Sequence, residues 1–264
     1  MSLQNNMNLD AKQILLNNDK GNYTIPTNGL YPFQWNWDSA FAAYGFAQFD
    51  IPRAWKELET LFSAQWLNGM VPHIIYHQID DGYFPGPNIW KGNGPIPSSG
   101  ITQPPVVASF MKKIWEIDTN FGSDRVKELF PKVLKWHRWF MKWRFEEGFV
   151  YISHPWEAGR DNAPDWDKAL AAINPSGIAP YKRRDTEHVN PLMRPTQSDY
   201  DRYIWLVQQG RECKWNEDWL KKNSSFKVAD PAMHFILLRA NRDLRLIGLN
   251  LGEAISEIDC WISA

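Results

Sequence analysis

Three acidic residues and two tryptophans lie close together in the run HPWEAGRDNAPDW, residues 154–166. The segment Asn-Ala-Pro separates Asp161 from Asp165, and these residue types predict a turn rather than the interior of a strand. Two interpretations of the acids are open. They either begin and cap the next helix, or they form a site that donates a proton to a sugar.

A carboxyl group protonates a glycosidic oxygen well only if its pKa is raised by partial burial or by a like charge. Asp161 has the acidic Glu157 and the indoles of Trp156 and Trp166 near it in sequence, so we expect its pKa to be raised by them. Asp165 and Asp167 precede an alanine-rich stretch, where we expect them to be first-turn helix acids.

A second group of chemically capable residues is found in YPFQWNWDSAF, residues 31–41. Trp35 and Trp37 are two residues apart, so in an extended chain both indoles would face one side and could form a platform for a sugar ring. Asp38 either caps the apolar helix after it or contacts sugar hydroxyls. The chain has 15 tryptophans. Most are expected in the core, but the excess favours a carbohydrate cleft.

The elements that position these residues are predicted to be helices. Apolar residues recur at helical spacing, several runs begin with Asp, Ser or Pro, and strand signals are few, so the fold class is all-α. The predicted helices cover residues 37–49, 52–67, 104–117, 123–145, 198–213 and 230–251. Two long segments rich in Gly and Pro, 68–103 and 174–197, are the type of loop that usually carries function. We therefore expect an α/α toroid whose loops form a cleft, with residues 1–264 as one domain.

Composition narrows the class of partner. The net charge is −1 without a dense basic block, so neither a nucleic acid nor a membrane surface is expected as a partner. Two cysteines and the lack of an apolar signal region at the N-terminus predict a cytoplasmic protein. His73 and His77 have helical metal-ligand spacing but lack the glutamate of a zinc motif, so we predict no metal and no cofactor.

The motifs YPFQWNWDSAF, GITQPPV (100–106) and HPWEAGRDNAPDWD together resemble glycoside hydrolase family 63. The resemblance is strongest to its bacterial branch of mannosylglycerate and glucosylglycerate hydrolases, and it covers most of the chain. It implies the (α/α)6 barrel that the related trehalases and α-glucosidases share. It also implies an inverting hydrolase of a small α-glucoside or α-mannoside.

The resemblance also implies roles for individual residues. Asp161 stands at the family's general acid, and Asp199 and Tyr203 lie in a segment that borders the family's cleft. Arg160 stands where the family often has Met, which could alter the sugar preference. The positions at which the family holds the sugar are Trp35, Trp37, Asp38, Gln103, Trp156 and Gly159. We add Glu157 to these predicted substrate-binding residues because it is the neighbour of the acid.

The sequence departs from the family at the general base. Inversion needs a second carboxylate, roughly 6.5–9.5 Å from the acid, that activates water. In the family this is a glutamate near a Gly-rich stretch, whereas Glu253 and Glu257 lie on helical sequence and are expected to be surface acids. We therefore expect a toroid that is incomplete at its C-terminus, with an exposed apolar edge suited to self-association. The alternative function is a non-catalytic carbohydrate-binding protein.

Overall fold

The computed structural model describes residues 3–264, and the side chains among them except those of residues 3–5 and 188. Most of this chain is helical. The helices are α1 Leu3–Asn18, α2 Asn36–Phe46, α3 Ile51–Ser63, α4 Pro87–Trp90, α5 Val107–Ile117, α6 Gly122–Trp143, α7 Asp167–Ala171, α8 Asp185–His188, α9 Gln197–Glu212, α10 Glu217–Asn223, α11 Pro231–Leu251 and α12 Ser256–Ser263.

Five short strands complete the described fold: β1 Gln34–Trp35, β2 Ile74–Ile75, β3 Phe145–Glu146, β4 Phe149–Ile152 and β5 Val228–Ala229. Strands β1 and β2 form an antiparallel pair, and β3, β4 and β5 form a three-stranded sheet in that order. Two of the strands lead directly into the segments that contain the candidate site residues. Strand β1 leads into α2, and β4 leads into the acidic run at residue 154.

Helix α3 shows how the sequence pattern determines an element. The Asp50 side chain accepts a hydrogen bond from the backbone N–H of Arg53, at 3.0 Å, which caps the first turn. Trp55, Leu58 and Phe62 are buried on one face, as their spacing predicts. The helix ends at Ser63, before Trp66, because the chain turns there toward Gly69.

The core is formed where α2 packs against α3 and α5, and where α11 packs against α5, α6 and β4. One cluster of buried apolar side chains extends from Phe33 to Ile258. Among the described helices, none is long and apolar enough to cross a membrane.

The entry into α2 differs from the sequence prediction. Trp37 lies in the first turn of the helix rather than in an extended stretch, and Asp38 does not cap it, because the N-cap position is occupied by Trp35 without a side-chain bond. The helix starts early because Asn36 is held in the core. Its side-chain amide donates to the carbonyl oxygens of Val71 and Pro72, at 3.1 and 3.3 Å.

The two long Gly- and Pro-rich segments are largely irregular, as predicted. Residues 68–103 contain only β2 and α4, and residues 174–197 contain α8 and one 3-10 turn, Pro191–Met193, before α9 begins. Both segments line the same cavity. The candidate site residues from the two sequence motifs, among them Asp38 and Asp161, lie together in this cleft.

Candidate active site

Many polar and aromatic side chains surround a cleft with a volume of about 280 Å³. This is close to the lower end of the volumes of small-molecule sites. Aromatic rings, three carboxyl groups and two guanidinium groups face it. The polar and aromatic residues of the lining, with one glycine among them, are Tyr31, Trp35, Trp37, Asp38, His73, Tyr83, Phe84, Gln103, Trp156, Gly159, Asp161, Arg184, Asp185, Arg194 and Tyr200.

One wall of the cleft is formed by the start of α2. Trp35, Trp37 and Asp38 all reach the cleft, although the first belongs to β1 and the others to the helix. The side-chain oxygen of Gln103 accepts a hydrogen bond from the backbone N–H of Trp37, at 3.2 Å. Gln103 thereby ties the 68–103 segment to the helix start, and its own side chain remains at the cleft surface.

Another wall of the cleft is formed by residues His154–Asp161, which we call the acid-bearing segment. It comes after β4 and contains the 3-10 turn Pro155–Ala158. Gly159 then adopts a left-handed conformation with φ of +69°, which favours glycine because it has no Cβ. This reversal brings Trp156, Gly159 and Asp161 to the cleft.

The pKa of Asp161 is raised, mainly because burial disfavours its ionised form. Arg194 acts against this shift, and Asp185 adds to it. The predicted direction is therefore confirmed, but the predicted cause is wrong in part, since Glu157 does not contribute. An acid with a raised pKa remains protonated closer to neutral pH and is suited to donate its proton.

Glu157 lies outside the cleft, which corrects its predicted role in substrate binding. Its side chain is completely buried, and it forms an ion pair with Arg144, with Nη2 of the arginine 3.0 Å from Oε1. It also accepts a hydrogen bond from the backbone N–H of Ser153, at 2.8 Å. The carboxylate therefore holds the start of the acid-bearing segment in place, and it turns inward because Arg144 is buried there.

Asp38 is the second acid of the cleft with an altered pKa. Burial raises its pKa to about 6. Trp37 and Phe41 lie edge to face beside it on α2, with ring centroids 5.7 Å apart. A carboxyl group in this position changes its charge near physiological pH, so its contacts with a ligand depend on pH.

Arginine residues dominate the third side, where the sequence prediction named no site residue. Asp185 forms ion pairs with Arg183 and Arg194, at 2.8 Å in each case, and both arginines keep its pKa below the ordinary value. Arg184 pairs with Asp80 at 2.7 Å and so joins the two long loops. The length of the 174–197 loop was the signal that could have located these residues.

The segment at the start of α9 reaches the cleft through a different residue than predicted. Tyr200 lines the cleft, whereas Asp199 faces outward and pairs with Arg202 at 2.9 Å. Adjacent helical residues point about 100° apart, so the two cannot share a direction. Tyr203 lies behind the cleft wall, and its hydroxyl group donates to the backbone carbonyl of Asp161 at 2.9 Å.

Arg160 also points away from the cleft. Its guanidinium group pairs with Asp165 and with the buried Asp230, each at 3.0 Å, and lies over the ring of Trp166. Arg160 therefore does not line the cleft, and the predicted effect on the sugar preference cannot arise from a direct contact with the sugar. Asp165 lies in the first turn of the 3-10 helix Pro164–Trp166 and Asp167 begins α7, in agreement with their predicted structural role.

His73 and His77 are separated by β2 rather than placed on one helix face. His73 lines the cleft, where its Nδ1 lies 2.8 Å from the hydroxyl of Ser99 and its ring stacks on Trp156. In the described part of the chain, no group of three potential ligands could hold a metal ion. Glu257 pairs with Arg138 at the surface and Glu253 is exposed, as expected for both.

The chain matches known proteins along nearly all of its length. The family model described as the mannosylglycerate hydrolase MGH1-like glycoside hydrolase domain matches residues 31–264. Mannosylglycerate hydrolase MGH2 of Selaginella moellendorffii is 46% identical over 258 residues, which are 95% of this chain and 53% of that protein. The mannosylglycerate hydrolase of Thermus thermophilus is 44% identical over 96% of this chain and 63% of its own length. The glucosylglycerate hydrolase of Mycolicibacterium hassiacum is 39% identical over 90% of this chain and 57% of that protein.

Solved structures agree with the sequence comparison. The crystal structure of a family 63 mannosylglycerate hydrolase from Thermus thermophilus in complex with Tris has a TM-score of 0.93 and 44% identity, covering 97% of this chain and 63% of that one. The same enzyme with Tris and D-glycerate gives the same values. The predicted all-α toroid class is thus confirmed. The chain spans about half to two thirds of the length of the curated relatives it matches. It belongs to the mannosylglycerate hydrolase MGH1-like glycoside hydrolase family.

Proposed function

We propose that this chain carries the general acid and the sugar-binding wall of an inverting α-glycoside hydrolase. The substrate class is a small α-mannoside or α-glucoside of glycerate. The observation that carries the proposal is the position of Asp161. The pKa of its carboxyl group is raised. Asp161 also lines the same cleft as Trp35, Trp37 and Asp38, although these three residues precede it by more than a hundred positions in the sequence. Residues that bind and cleave one small ligand must share such a cleft.

In the proposed reaction, Asp161 donates its proton to the glycosidic oxygen as the bond to the sugar breaks. The leaving group departs as an alcohol, and the carboxylate left behind is stabilised by the nearby Arg194. Because burial raises the pKa of Asp161 above its ordinary value, less energy is needed to keep its acid form available than for an exposed aspartate.

The sugar ring is proposed to lie between the tryptophans of the two walls. Trp35 and Trp37 come from β1 and the start of α2, and Trp156 comes from the acid-bearing segment. Indole faces pack against the C–H faces of a sugar, while polar groups fix its orientation. Asp38 and Gln103 supply those polar groups. The cleft volume of about 280 Å³ suits a small glycoside better than a polysaccharide.

The arginine side of the cleft is proposed to hold the leaving group. Glycerate carries a carboxylate, and a guanidinium group binds a carboxylate through two parallel hydrogen bonds. Arg194 is suited to this role because it faces the cleft near Asp161 and is oriented by Asp185. A relative has been solved with D-glycerate, and relatives are named as hydrolases of mannosylglycerate and glucosylglycerate.

Inversion also requires a carboxylate that activates water on the far side of the sugar. The other carboxyl groups lining this cleft are Asp38 and Asp185. Asp185 is held by two arginines, and Asp38 is already proposed to orient the sugar, so neither is proposed as the base. We assign no base, and we propose that hydrolysis by this chain alone is weak.

The Asp161→Asn variant tests the proposal. Asparagine has the same shape but no acidic proton, so hydrolysis of mannosylglycerate and glucosylglycerate should fall by roughly 10²–10⁴-fold while glucose still binds. Glucose affinity is measured by calorimetry and turnover by release of free sugar. Unchanged turnover in the variant would exclude Asp161 as the acid.

A non-catalytic carbohydrate-binding role is the alternative. It is favoured by the same tryptophan-lined cleft, combined with the lack of a matching base among its lining residues. The two functions differ in one measurement. If the wild-type chain binds glucose but releases no sugar from either glycoside, binding without catalysis describes the chain.

We also propose that the chain self-associates through α11. Phe235, Leu246 and Leu249 are exposed by 63%, 43% and 48%, and their spacing places them on one face of the helix. These residues share that face with the exposed Arg239 and Arg242, and a mixed apolar and basic face of this kind offers a contact surface. Light scattering with size-exclusion chromatography, on the wild type and on Leu246→Lys, tests it. A wild type that stays monomeric at high concentration would reject it.

A further inference from the structure

We propose that Tyr203, on α9, is a positioning residue for Asp161. It forms hydrogen bonds with both the first and the last residue of the acid-bearing segment, His154 and Asp161. The inference rests on the proposed role of Asp161 as the acid. It goes beyond that role by naming the residue that determines where the carboxyl group sits. Tyr203 itself lies outside the cleft lining and is not proposed to touch the sugar.

The first contact fixes the end of the segment. The phenol hydroxyl of Tyr203 donates to the backbone carbonyl of Asp161, with the two oxygens 2.9 Å apart. Burial, together with the nearby Asp161, raises the pKa of Tyr203 above its ordinary value, so the hydroxyl keeps its proton. The donor is therefore present throughout the pH range in which a glycosidase works.

The second contact fixes the beginning of the segment. The backbone carbonyl of Tyr203 lies 3.1 Å from Nε2 of His154, and Nδ1 of the same ring accepts from the backbone N–H of Trp156 at 3.1 Å. An accepting Nδ1 requires that Nε2 carries the proton and donates to Tyr203. Burial lowers the pKa of His154 to about 3, so this neutral tautomer persists.

The side-chain packing joins the two contacts. The ring of Tyr203 lies 5.8 Å from His154 and 5.6 Å from Trp156, measured between centroids. The segment between the contacts contains Trp156 and Gly159, which line the cleft, before it reaches Asp161. A shift at the Asp161 contact would therefore displace the acid, and a shift at the His154 contact would displace Trp156 and Gly159.

Geometry matters here because proton transfer depends on the position of the acid. A displacement of about 1 Å can lower a rate by roughly a hundredfold. The simpler interpretation is that Tyr203 is a core residue whose hydroxyl needs some partner, as buried phenols usually do. The two interpretations predict different results when the hydroxyl alone is removed.

Tyr203→Phe removes the contact to Asp161 and leaves the backbone contact to His154. Tyr151→Phe is the matched control, because the buried Tyr151 hydroxyl also donates to a backbone carbonyl, that of Trp143, at 2.6 Å. Tyr151 is not part of the cleft lining. Both variants lose one buried phenol hydrogen bond, so a purely structural effect should be similar in the two.

The first measurement is the titration of Asp161 by carboxyl ¹³C NMR of the 264-residue chain. The Asp161→Asn variant identifies the resonance. The charged groups facing Asp161 are Arg194 and Asp185, and neither is altered by the test. In Tyr203→Phe, we expect the pKa of Asp161 to fall toward that of an ordinary aspartate as the segment loosens and water reaches the carboxyl. In Tyr151→Phe it should equal that of the wild type.

The second measurement compares two leaving groups. Mannosylglycerate needs a proton from the acid, whereas a mannosyl fluoride of the same configuration needs little acid assistance. Tyr203→Phe should lower kcat on mannosylglycerate by roughly 10–100-fold, with KM nearly unchanged, and should lower the rate on the fluoride by less than about threefold. Tyr151→Phe should leave the ratio of the two rates unchanged.

The outcomes separate the two proposals. If the pKa of Asp161 and the ratio of the rates on mannosylglycerate and on the fluoride are the same in Tyr203→Phe as in Tyr151→Phe, the positioning role is wrong. If Asp161→Asn retains full turnover, the proposed acid is wrong whatever Tyr203→Phe does. If the wild-type chain cleaves neither substrate, the proposed hydrolase activity of the chain fails, and the titration of Asp161 alone decides whether Tyr203 positions it.

Discussion

The indole of Trp37 lies directly against the backbone of Gly159. A Cβ atom at position 159 would be 2.6 Å from Cζ2 of that indole, which is closer than real Cβ contacts come. The two residues belong to different walls of the cleft and are separated by more than a hundred positions in sequence. Their contact brings Trp37 of α2 next to the segment that bears Asp161.

Gly159→Ala should therefore disturb the cleft itself. The methyl group would force Trp37 to move, and a non-glycine residue at φ of +69° adds a backbone cost of about 1–2 kcal/mol. The matched control is Gly177→Ala, since Gly177 has φ of +68° and its nearest neighbour, Gln208, would be 3.9 Å away. Both variants should show the backbone cost in urea denaturation, Gly159→Ala should lose more stability because of the clash with Trp37, and only Gly159→Ala should lose glucose affinity. Equal glucose binding by the two would show that the Trp37 contact is unimportant.

Asp38 should make the stability of the protein depend on pH. Its pKa is about 6 when folded, against an ordinary value of 3.8. The folded state therefore binds this proton more tightly than the unfolded state does. The resulting contribution is fully present below about pH 4, is lost as the pH rises through 6 and stays absent above it.

In urea denaturation, Asp38→Asn should gain roughly 1–3 kcal/mol of unfolding free energy relative to the wild type between pH 4 and pH 7.5. The comparison with the wild type at each pH removes the contributions of other acids. A difference that does not change with pH would mean that Asp38 has an ordinary pKa.

The buried pair of Glu157 and Arg144 should contribute far more to stability than a surface pair of the same type. Glu157→Gln keeps the size of the side chain but removes the charge that faces a guanidinium group with 1% exposure. We expect a loss of about 3–5 kcal/mol. Glu257→Gln, which breaks the surface pair with Arg138, should cost less than about 1 kcal/mol. Equal losses in thermal or urea denaturation would contradict this difference.

Arg194 should determine the affinity for the acidic leaving group. Arg194→Gln should lower the affinity for D-glycerate at least about tenfold and leave glucose binding nearly unchanged, because the lost charge-assisted bonds involve the carboxylate only. Asp185 keeps its pair with Arg183 in this variant, which limits the structural damage. Arg202→Gln is the control, because Arg202 forms its ion pair outside the cleft lining. Calorimetry with each ligand separates the two sites.

The sequence by itself determined the helical class, most helix positions and the acidic turn. The apolar spacing in α3, α5, α6, α9 and α11 predicts each helix to within a few residues, because a helix that buries one face needs side chains at that period. The motifs around Trp35 and Asp161 identified residues that do meet in the cleft, since a resemblance in motifs carries over the spatial arrangement of the family.

Only the tertiary structure decided where acidic and basic side chains point. Glu157 and Asp161 are four residues apart, yet one is paired with Arg144 in the core and the other faces the cleft. Asp199 and Tyr200 are adjacent, and only the tyrosine reaches the cleft. The sign of a charge and its place in a loop are visible in sequence. The residue that pairs with a charged side chain comes from a distant segment of the chain. The free energy of that contact determines whether the side chain points into the core or toward the cleft.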